Sequence, residues 1–243
     1  VVAGSARGRP LDAPPGTAVR PTTDRVRESV CNSLGSLGAL EGAVVLDLFA
    51  GSGALGVEAL SRGAASATFV DSSAAALAAV RANVERCGFV GRSRLVRSDG
   101  LAHLAQLAQA RDVAGGRTTG HDTTGSARRG DRGGERGDEP FVVAPPGPEV
   151  PTLVFCDPPY DFDRWDELLG AIAAAAPGAV VVAESDRAVS AGSAGEVLRD
   201  RRHGGTVVTT IRIAGARNGR PSHDDGGAAA AGPASPPRPE DPS

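Results

Sequence analysis

Residues 44–56 run Val44-Val45-Leu46-Asp47-Leu48-Phe49-Ala50-Gly51-Ser52-Gly53-Ala54-Leu55-Gly56. Val44 to Leu46 is a short apolar run that stops at an acid. Gly51, Gly53 and Gly56 then satisfy GxGxxG, and a helical stretch runs from Ala54 to about Arg62. Strand, glycine turn and helix form the opening unit of a doubly wound sheet, where missing side chains let a cofactor approach the backbone. Asp71 ends the next apolar run, Ala67 to Val70, 18 residues beyond Gly53, where a carboxylate can grip a ribose diol. The spacing alone also fits a dinucleotide. Asp47 tilts it away from one, because an acid at this strand end repels a pyrophosphate but suits a cationic amino-acid group.

The alternation continues outward. Ser73 caps a helix to about Cys87, and Arg94 to Arg97 is a strand ending near Asp99. Leu101 to Ala110 is helical, Thr152 to Cys156 a strand, Trp165 to Ala176 a helix and Ala179 to Ala183 a strand. Glu196 to Arg201 and Thr206 to Ile213 follow with only a His203-Gly204-Gly205 turn between them, which predicts a closing hairpin. Alternating units of this kind make an α/β, mostly parallel sheet with helices on both faces. Upstream, Val26, Val30 and Leu34 fall at i, i+4 and i+8, so Thr22 to Leu34 is a helix, with Thr22 or Thr23 as its cap.

The chain has 243 residues, and two stretches contribute little to a core. Residues 111–150 and 214–243 are dominated by Gly, Pro, Ala, Ser, Thr, Arg and Asp and are expected to be a disordered insert and tail. The remaining 173 residues suit one domain. The organisation expected is an N-terminal arm and helix over 1–40, then a catalytic domain over 41–213 that carries the insert. Apolar residues at 40% and charged ones at 23% exclude collagen-like, coiled-coil and disulfide-scaffold classes. A net charge of −3 excludes a generally basic nucleic-acid binder but leaves room for a local basic patch. Every cation is Arg and Met is absent, which fits a GC-rich coding bias and weakens Arg as a sign of phosphate recognition.

Cys31, Cys87 and Cys156 lack metal-ligand spacing and are expected to be buried, reduced thiols. His103, His121, His203 and His223 form no paired arrangement, so no metal is expected. The first 16 residues have no apolar h-region, and the most apolar stretch, Ala171 to Ala183, is broken by Pro177-Gly178. A cytoplasmic monomer with no membrane association is the expectation.

Chemistry enters with Asp157-Pro158-Pro159-Tyr160, directly after the apolar run Leu153 to Cys156 and 110 residues beyond Asp47. Asp-Pro-Pro-Tyr at this place resembles the signature of methyltransferases that act on exocyclic or amide nitrogens. The residue types suit that reaction. An exocyclic amine is a poor nucleophile, since its lone pair is delocalised into the ring. A carboxylate and the Pro158 carbonyl can accept its N–H bonds, turn the lone pair toward a methyl donor and stabilise the charge developing on nitrogen. Proline preorganises the acceptors, and Tyr160 can stack on a base lifted out of its helix.

A third segment, Arg20-Pro21-Thr22-Thr23-Asp24-Arg25-Val26-Arg27-Glu28, follows Gly4-Ser5-Ala6-Arg7-Gly8-Arg9. Physics alone favours a capped helix with a solvated charged face, Asp24 with Arg27 and Arg25 with Glu28 forming i, i+3 pairs. Together, however, GSARGR at 4–9, RPTTDRVRE at 20–28, DLFAGSGALGVEALSRGA at 47–64 and the Asp157 motif closely resemble the bacterial RsmD family. Those enzymes are 16S ribosomal RNA guanine-N2 methyltransferases that use S-adenosylmethionine, and the resemblance spans residues 4 to about 213 apart from the insert.

The resemblance implies a Rossmann-like class I methyltransferase fold, with a seven-stranded, mostly parallel sheet, a C-terminal antiparallel hairpin and a small N-terminal extension. It puts Asp47, Phe49, Gly51 and Gly53 in the cofactor loop, Asp71 on the ribose hydroxyls and Asp99 near the adenine amino group. Asp157, Pro158 and Tyr160 match the catalytic motif. Arg20, Thr22, Asp24 and Arg25 are implied beside the substrate pocket, and Arg7 and Arg9 in an RNA-facing arm. The implied partner is 16S rRNA within a small-subunit assembly particle. Competing readings are a DNA adenine-N6 or protein glutamine-N5 methyltransferase, against which the N-terminal segment argues, and a non-catalytic RNA-binding assembly factor. A nicotinamide-dependent oxidoreductase is disfavoured, because no hydride-transfer site stands out.

Overall fold

In a computed structural model of the chain, residues 1–14, 22–115, 149–159 and 161–215 are described. The disorder expected of the insert and tail concerns mainly 116–148 and 216–243, which lie outside the described residues, as do Arg20 and Tyr160.

Each apolar run that stops at an acid is a strand. β1 is Val44–Leu48, β2 Ser66–Asp71, β3 Ser93–Arg97, β4 Leu153–Cys156 and β5 Val180–Ser185. They pair in parallel in the order β3-β2-β1-β4-β5. β6 (Gly195–His203) and β7 (Thr206–Ile213) complete a sheet of seven. The hairpin forms as expected, but its second strand lies inward: β7 runs antiparallel between β5 and β6. The burial pattern explains this. β7 is buried along most of its length whereas β6 is largely exposed, so the apolar strand takes the interior position and the arginine-rich one the edge.

The helices divide between the faces. Val26, Val30, Cys31 and Leu34 of α1 (Thr22–Ser36) share one apolar layer with α2 (Ala54–Ser61) and α3 (Ala74–Cys87). On the other face, α4 (Gly100–Gly115) and α5 (Trp165–Ala175) cover Leu46, Leu48, Val154 and Cys156. Ser73 caps α3 by accepting from Ala76 N, as its position predicts. α1 begins at Thr22, so both threonines lie within the helix rather than before it. α4 continues five residues past Ala110, through Arg111 to Gly115, into the stretch expected to be insert. Among the described residues, no helix is long and apolar enough to cross a membrane.

Strand order reverses between β1 and β4, whose neighbours on the outer sides are β2 and β5. Such a reversal opens a crevice beyond the carboxyl ends of the strands. The glycine loop follows directly on β1 and the Asp157 motif on β4.

Candidate active site

The glycine loop closes on itself before it meets any ligand. Asp47 shares the α1–α2–α3 face of β1 with Val45, and it is buried, at 3% exposure. Its Oδ2 accepts the Gly56 N–H at 3.0 Å. A Cβ on Gly56 would lie 2.4 Å from the buried Phe69 ring and 3.0 Å from that carboxylate, so only glycine fits there. Gly53 has φ +72°, and Phe49, with φ +59°, is the non-glycine residue in the left-handed region among the described residues. This backbone carries the loop across the ends of β1 and β2.

Asp71 then joins the loop to β2. Its Oδ2 accepts from Gly51 N at 2.9 Å and its Oδ1 from Ser73 N at 2.8 Å. The side of Gly51 where a Cβ would project is open, with only Phe49 O at 3.9 Å. Asp99 is exposed, and its Oδ1 caps α4 by accepting from Leu101 N and Ala102 N. The Phe49 ring closes the next side. It packs 3.3 Å from where a Gly100 Cβ would be and edge-on to Phe162, which in turn meets Trp165 edge-on. Gly51 is thus joined directly to Asp71, and Phe49 packs beside the start of α4 that Asp99 caps.

Asp157 is exposed and Pro158 buried at the end of β4, and Phe162 N donates to Pro159 O at 2.9 Å, turning the chain. The negative charge of Asp157 acts on Asp47 and on a residue the sequence reading passed over, Glu184. Glu184 lies one position beyond Ala183, the register partner of Cys156, and faces the same side of the sheet as Val182. Burial pushes the Asp47 carboxyl up to about 8, helped by the charges of Asp157 and Asp71, while the Gly56 N–H pulls the other way. Glu184 is raised by burial and by Asp157 and Asp47, against Arg27. The motif acid therefore belongs to a row of three carboxylates at the ends of β1, β4 and β5.

The N-terminal segment is placed in two ways. Asp24 pairs with Arg27 at 2.8 Å, as the spacing predicts. Arg27 is nevertheless buried, at 7% exposure, with Nε 3.5 Å from Glu58, so this side of α1 is not a solvated face. Arg25 and Glu28 form no ion pair among the described residues; both line a groove between α1 and β6. Thr22 is in the first turn of α1. Arg7 and Arg9 are exposed on a segment that lies along α2 and α3, and the Arg9 guanidinium donates to the Arg86 carbonyl. Glu58 holds this segment by accepting from Val2 N, Ala3 N and Arg62 Nε at 2.8–3.0 Å. Asn83 ties the segment to the glycine loop: its amide donates to Asp12 O and Ser52 O and accepts from Asp12 N. All three cysteines are free and buried. Tyr160 and Arg20 lie outside the described residues, so their expected roles stay expectations.

Residues 1–114 match the family model described as Conserved hypothetical protein 95. The chain is 43% identical over 106 residues to the ribosomal RNA small subunit methyltransferase D of Escherichia coli K12, covering 44% of this chain and 52% of that one. It is 42% identical over 109 residues, 45% of this chain and 58% of the other, to YlbH of Bacillus subtilis, provisionally assigned as an rRNA methyltransferase. The matched stretch spans about half the length of these curated relatives. Among solved structures, yhhF of Escherichia coli, provisionally a methyltransferase, superposes with a TM-score of 0.62 at 25% identity, over 88% of this chain and 97% of that one. The mixed sheet with its closing antiparallel strand is thus that of class I methyltransferases.

Proposed function

We propose that this chain is a member of the RsmD family and an S-adenosylmethionine-dependent methyltransferase of ribosomal RNA acting on the exocyclic N2 of a guanine in 16S rRNA. The observation that carries the reading is the meeting, at the β1/β4 crevice, of the Gly51 loop with its Asp71 and the Asp157-Pro158 turn.

The crevice suits the cofactor. Asp71 keeps lone pairs on both oxygens beyond the Gly51 and Ser73 bonds, enough to accept from ribose hydroxyls. The aromatic wall of Phe49 and the exposed Asp99 suit an adenine and its amino group. When bound, the cofactor supplies an activated methyl group on a sulfonium. Asp157 and the Pro158 carbonyl accept the N–H bonds of the amine and aim its lone pair at that methyl, and the carboxylate steadies the positive charge growing on nitrogen. Tyr160 stacks on the base. Asp47 and Glu184, whose protons the unliganded fold retains, can ionise in response to the sulfonium and ammonium charge beside them. Neither a metal nor a covalent intermediate has a part in this scheme.

The test uses radiolabelled S-adenosylmethionine with small-subunit particles lacking the modification, naked 16S RNA and duplex DNA, followed by nucleoside analysis. Label in N2-methylguanosine at one rRNA site is expected. Label in N6-methyladenine on DNA would replace the substrate, and cofactor binding without label on any RNA would overturn the reading. Asp157→Ala should abolish transfer while S-adenosylhomocysteine binding by calorimetry stays near the wild-type value. Equal loss of both would remove Asp157 from its assigned role.

A further inference from the structure

Between α1 and the edge strand β6 lies an open groove of about 380 Å³, lined by Arg25, Glu28, Asn32 and Ser33 of α1 and by Arg199 and Arg201 of β6. Among the described residues, Arg27, Arg62, Arg86, Arg164 and Arg187 each have a carboxylate partner. Arg25, Arg199 and Arg201 are in no ion pair among the described residues. Arg199 is fixed across the groove by donating to Ser33 Oγ at 3.0 Å. Three guanidinium groups against one carboxylate make this a locally cationic patch on a chain of net charge −3.

The arginines face α1 because β6 is bulged. Val197 pairs with Ile211, whose side chain faces the α4–α5 layer. The register then slips between Val197 and Arg199, so Arg199 pairs with Thr210 and Arg201 with Val208. Thr210 and Val208 are the partners of Val182 and Glu184, on the α1 side. Without the slip, Arg199 and Arg201 would project from the opposite face. A bulge of this kind re-aims side chains. Arginine on an edge strand also deters pairing with other chains, but that purpose needs only charge and not a groove shared with a helix.

The patch is aligned with the candidate site. Glu184, Val208 and Arg201 form one cross-strand row, and Asp157 lies next to Glu184 along it. At about 4.8 Å per strand, Arg201 stands about 15 Å from Asp157, on the same face of the sheet. Arg25, near the start of α1, borders the same groove as Arg201.

We propose that the α1–β6 groove is a docking surface for the phosphodiester backbone of the RNA whose base enters the crevice. The inference rests on the rRNA reading above and adds the surface that holds the strand. Arginine is suited to the task by its fixed fork of donors toward phosphate oxygens. Each phosphate neutralised on a single strand contributes about 0.7 to the log–log salt slope of binding.

The test compares the wild-type protein with R199Q/R201Q and R199K/R201K. Unmodified 16S RNA transcript is titrated at about 50 to 250 mM salt, and S-adenosylhomocysteine binding is followed by calorimetry. The glutamine pair should flatten the slope by about 1.4 and weaken RNA binding on the order of tenfold at the low-salt end, with cofactor binding unchanged. The lysine pair should keep the slope. If the glutamine pair loses cofactor binding as well, R201Q alone decides, with a slope change of about 0.7 expected. A wild-type slope in the glutamine variants, with RNA methylation intact, overturns the groove alone. A wild-type protein that binds cofactor but neither binds nor methylates RNA overturns the rRNA reading and this inference with it.

Discussion

Gly56 shows how one missing carbon sets the site. Its N–H is bound by Asp47 and its Cα faces the Phe69 ring, so the first turn of α2 is fastened to β1 and β2 together. Gly56→Ala should cost about 1–3 kcal/mol in urea unfolding, as overpacking does. It should also weaken S-adenosylhomocysteine binding more than an alanine at exposed Gly91, where no atom lies within 4 Å of the added carbon. The sequence names this glycine through its spacing. The third glycine of GxGxxG serves close helix–strand packing, and the Phe69 ring against Gly56 is that packing, a partner the spacing alone does not identify. Glu184 escaped notice for a plainer reason. The apolar run Ala179 to Ala183 stops one residue short of Glu184, an acid in the same strand-end position as Asp47 and Asp71.

At the scale of the element, α2 is a clamp. Glu58, fully buried, gathers two backbone N–H groups of the N-terminal segment and the guanidiniums of Arg27 and Arg62. Ser61 adds to it, donating to Ala3 O at 2.6 Å and accepting from Ala6 N at 2.9 Å. Removing one partner of a buried ion pair strands the others, so Glu58→Gln should cost about 3–5 kcal/mol. Trypsin should also cut the variant faster at Arg7–Gly8 under native conditions. Unchanged cleavage there would mean that the segment is held by something other than Glu58. Strand positions were legible because apolar runs, acids and glycines punctuate the chain at every turn. The buried state of Arg27 was not, since an i, i+3 charge pair has the same spacing on a solvated face as on a packed one. Nor was the extra length of α4: Arg111-Asp112-Val113 has the composition of a loop, and α4 there adds packing that no local pattern announces, with Arg111 donating to the Ala174 carbonyl of α5.

For the whole molecule, the carboxylate row sets a pH dependence. The Asp47 carboxyl is raised to about 8 in the fold, and Glu184 is also raised, so the folded state holds protons that the unfolded chain releases near its ordinary carboxylate range. Their contribution is fully present below about pH 4 and is lost as pH rises through about 8. Asp12 and Glu167 are lowered by Arg86 and Arg164, and what they contribute is lost only on further acidification. The urea midpoint should therefore fall between about pH 5 and pH 8. Asp47→Asn, which retains an acceptor for the Gly56 N–H, should flatten that fall in part, and Asp47→Asn with Glu184→Gln should flatten it further. A midpoint rising over the same interval would contradict the assignment. A bound sulfonium favours the ionised carboxylates, so S-adenosylmethionine should bind with proton release, visible as a dependence of the calorimetric enthalpy on the buffer.

The inward place of β7 has a temporal meaning. A chain emerging from its N-terminus completes five parallel strands while the β5 edge still has nothing beside it, and β6, next to be made, has its place on the far side of a strand not yet synthesised. Residues 206–213 arrive last of the seven and occupy the seat between them. Until then the nascent protein carries an open apolar edge, Val180-Val181-Val182-Ala183, of the kind that recruits other chains. A released chain truncated after residue 205 should capture a soluble peptide of the β7 sequence, whereas one extending past 213 should not.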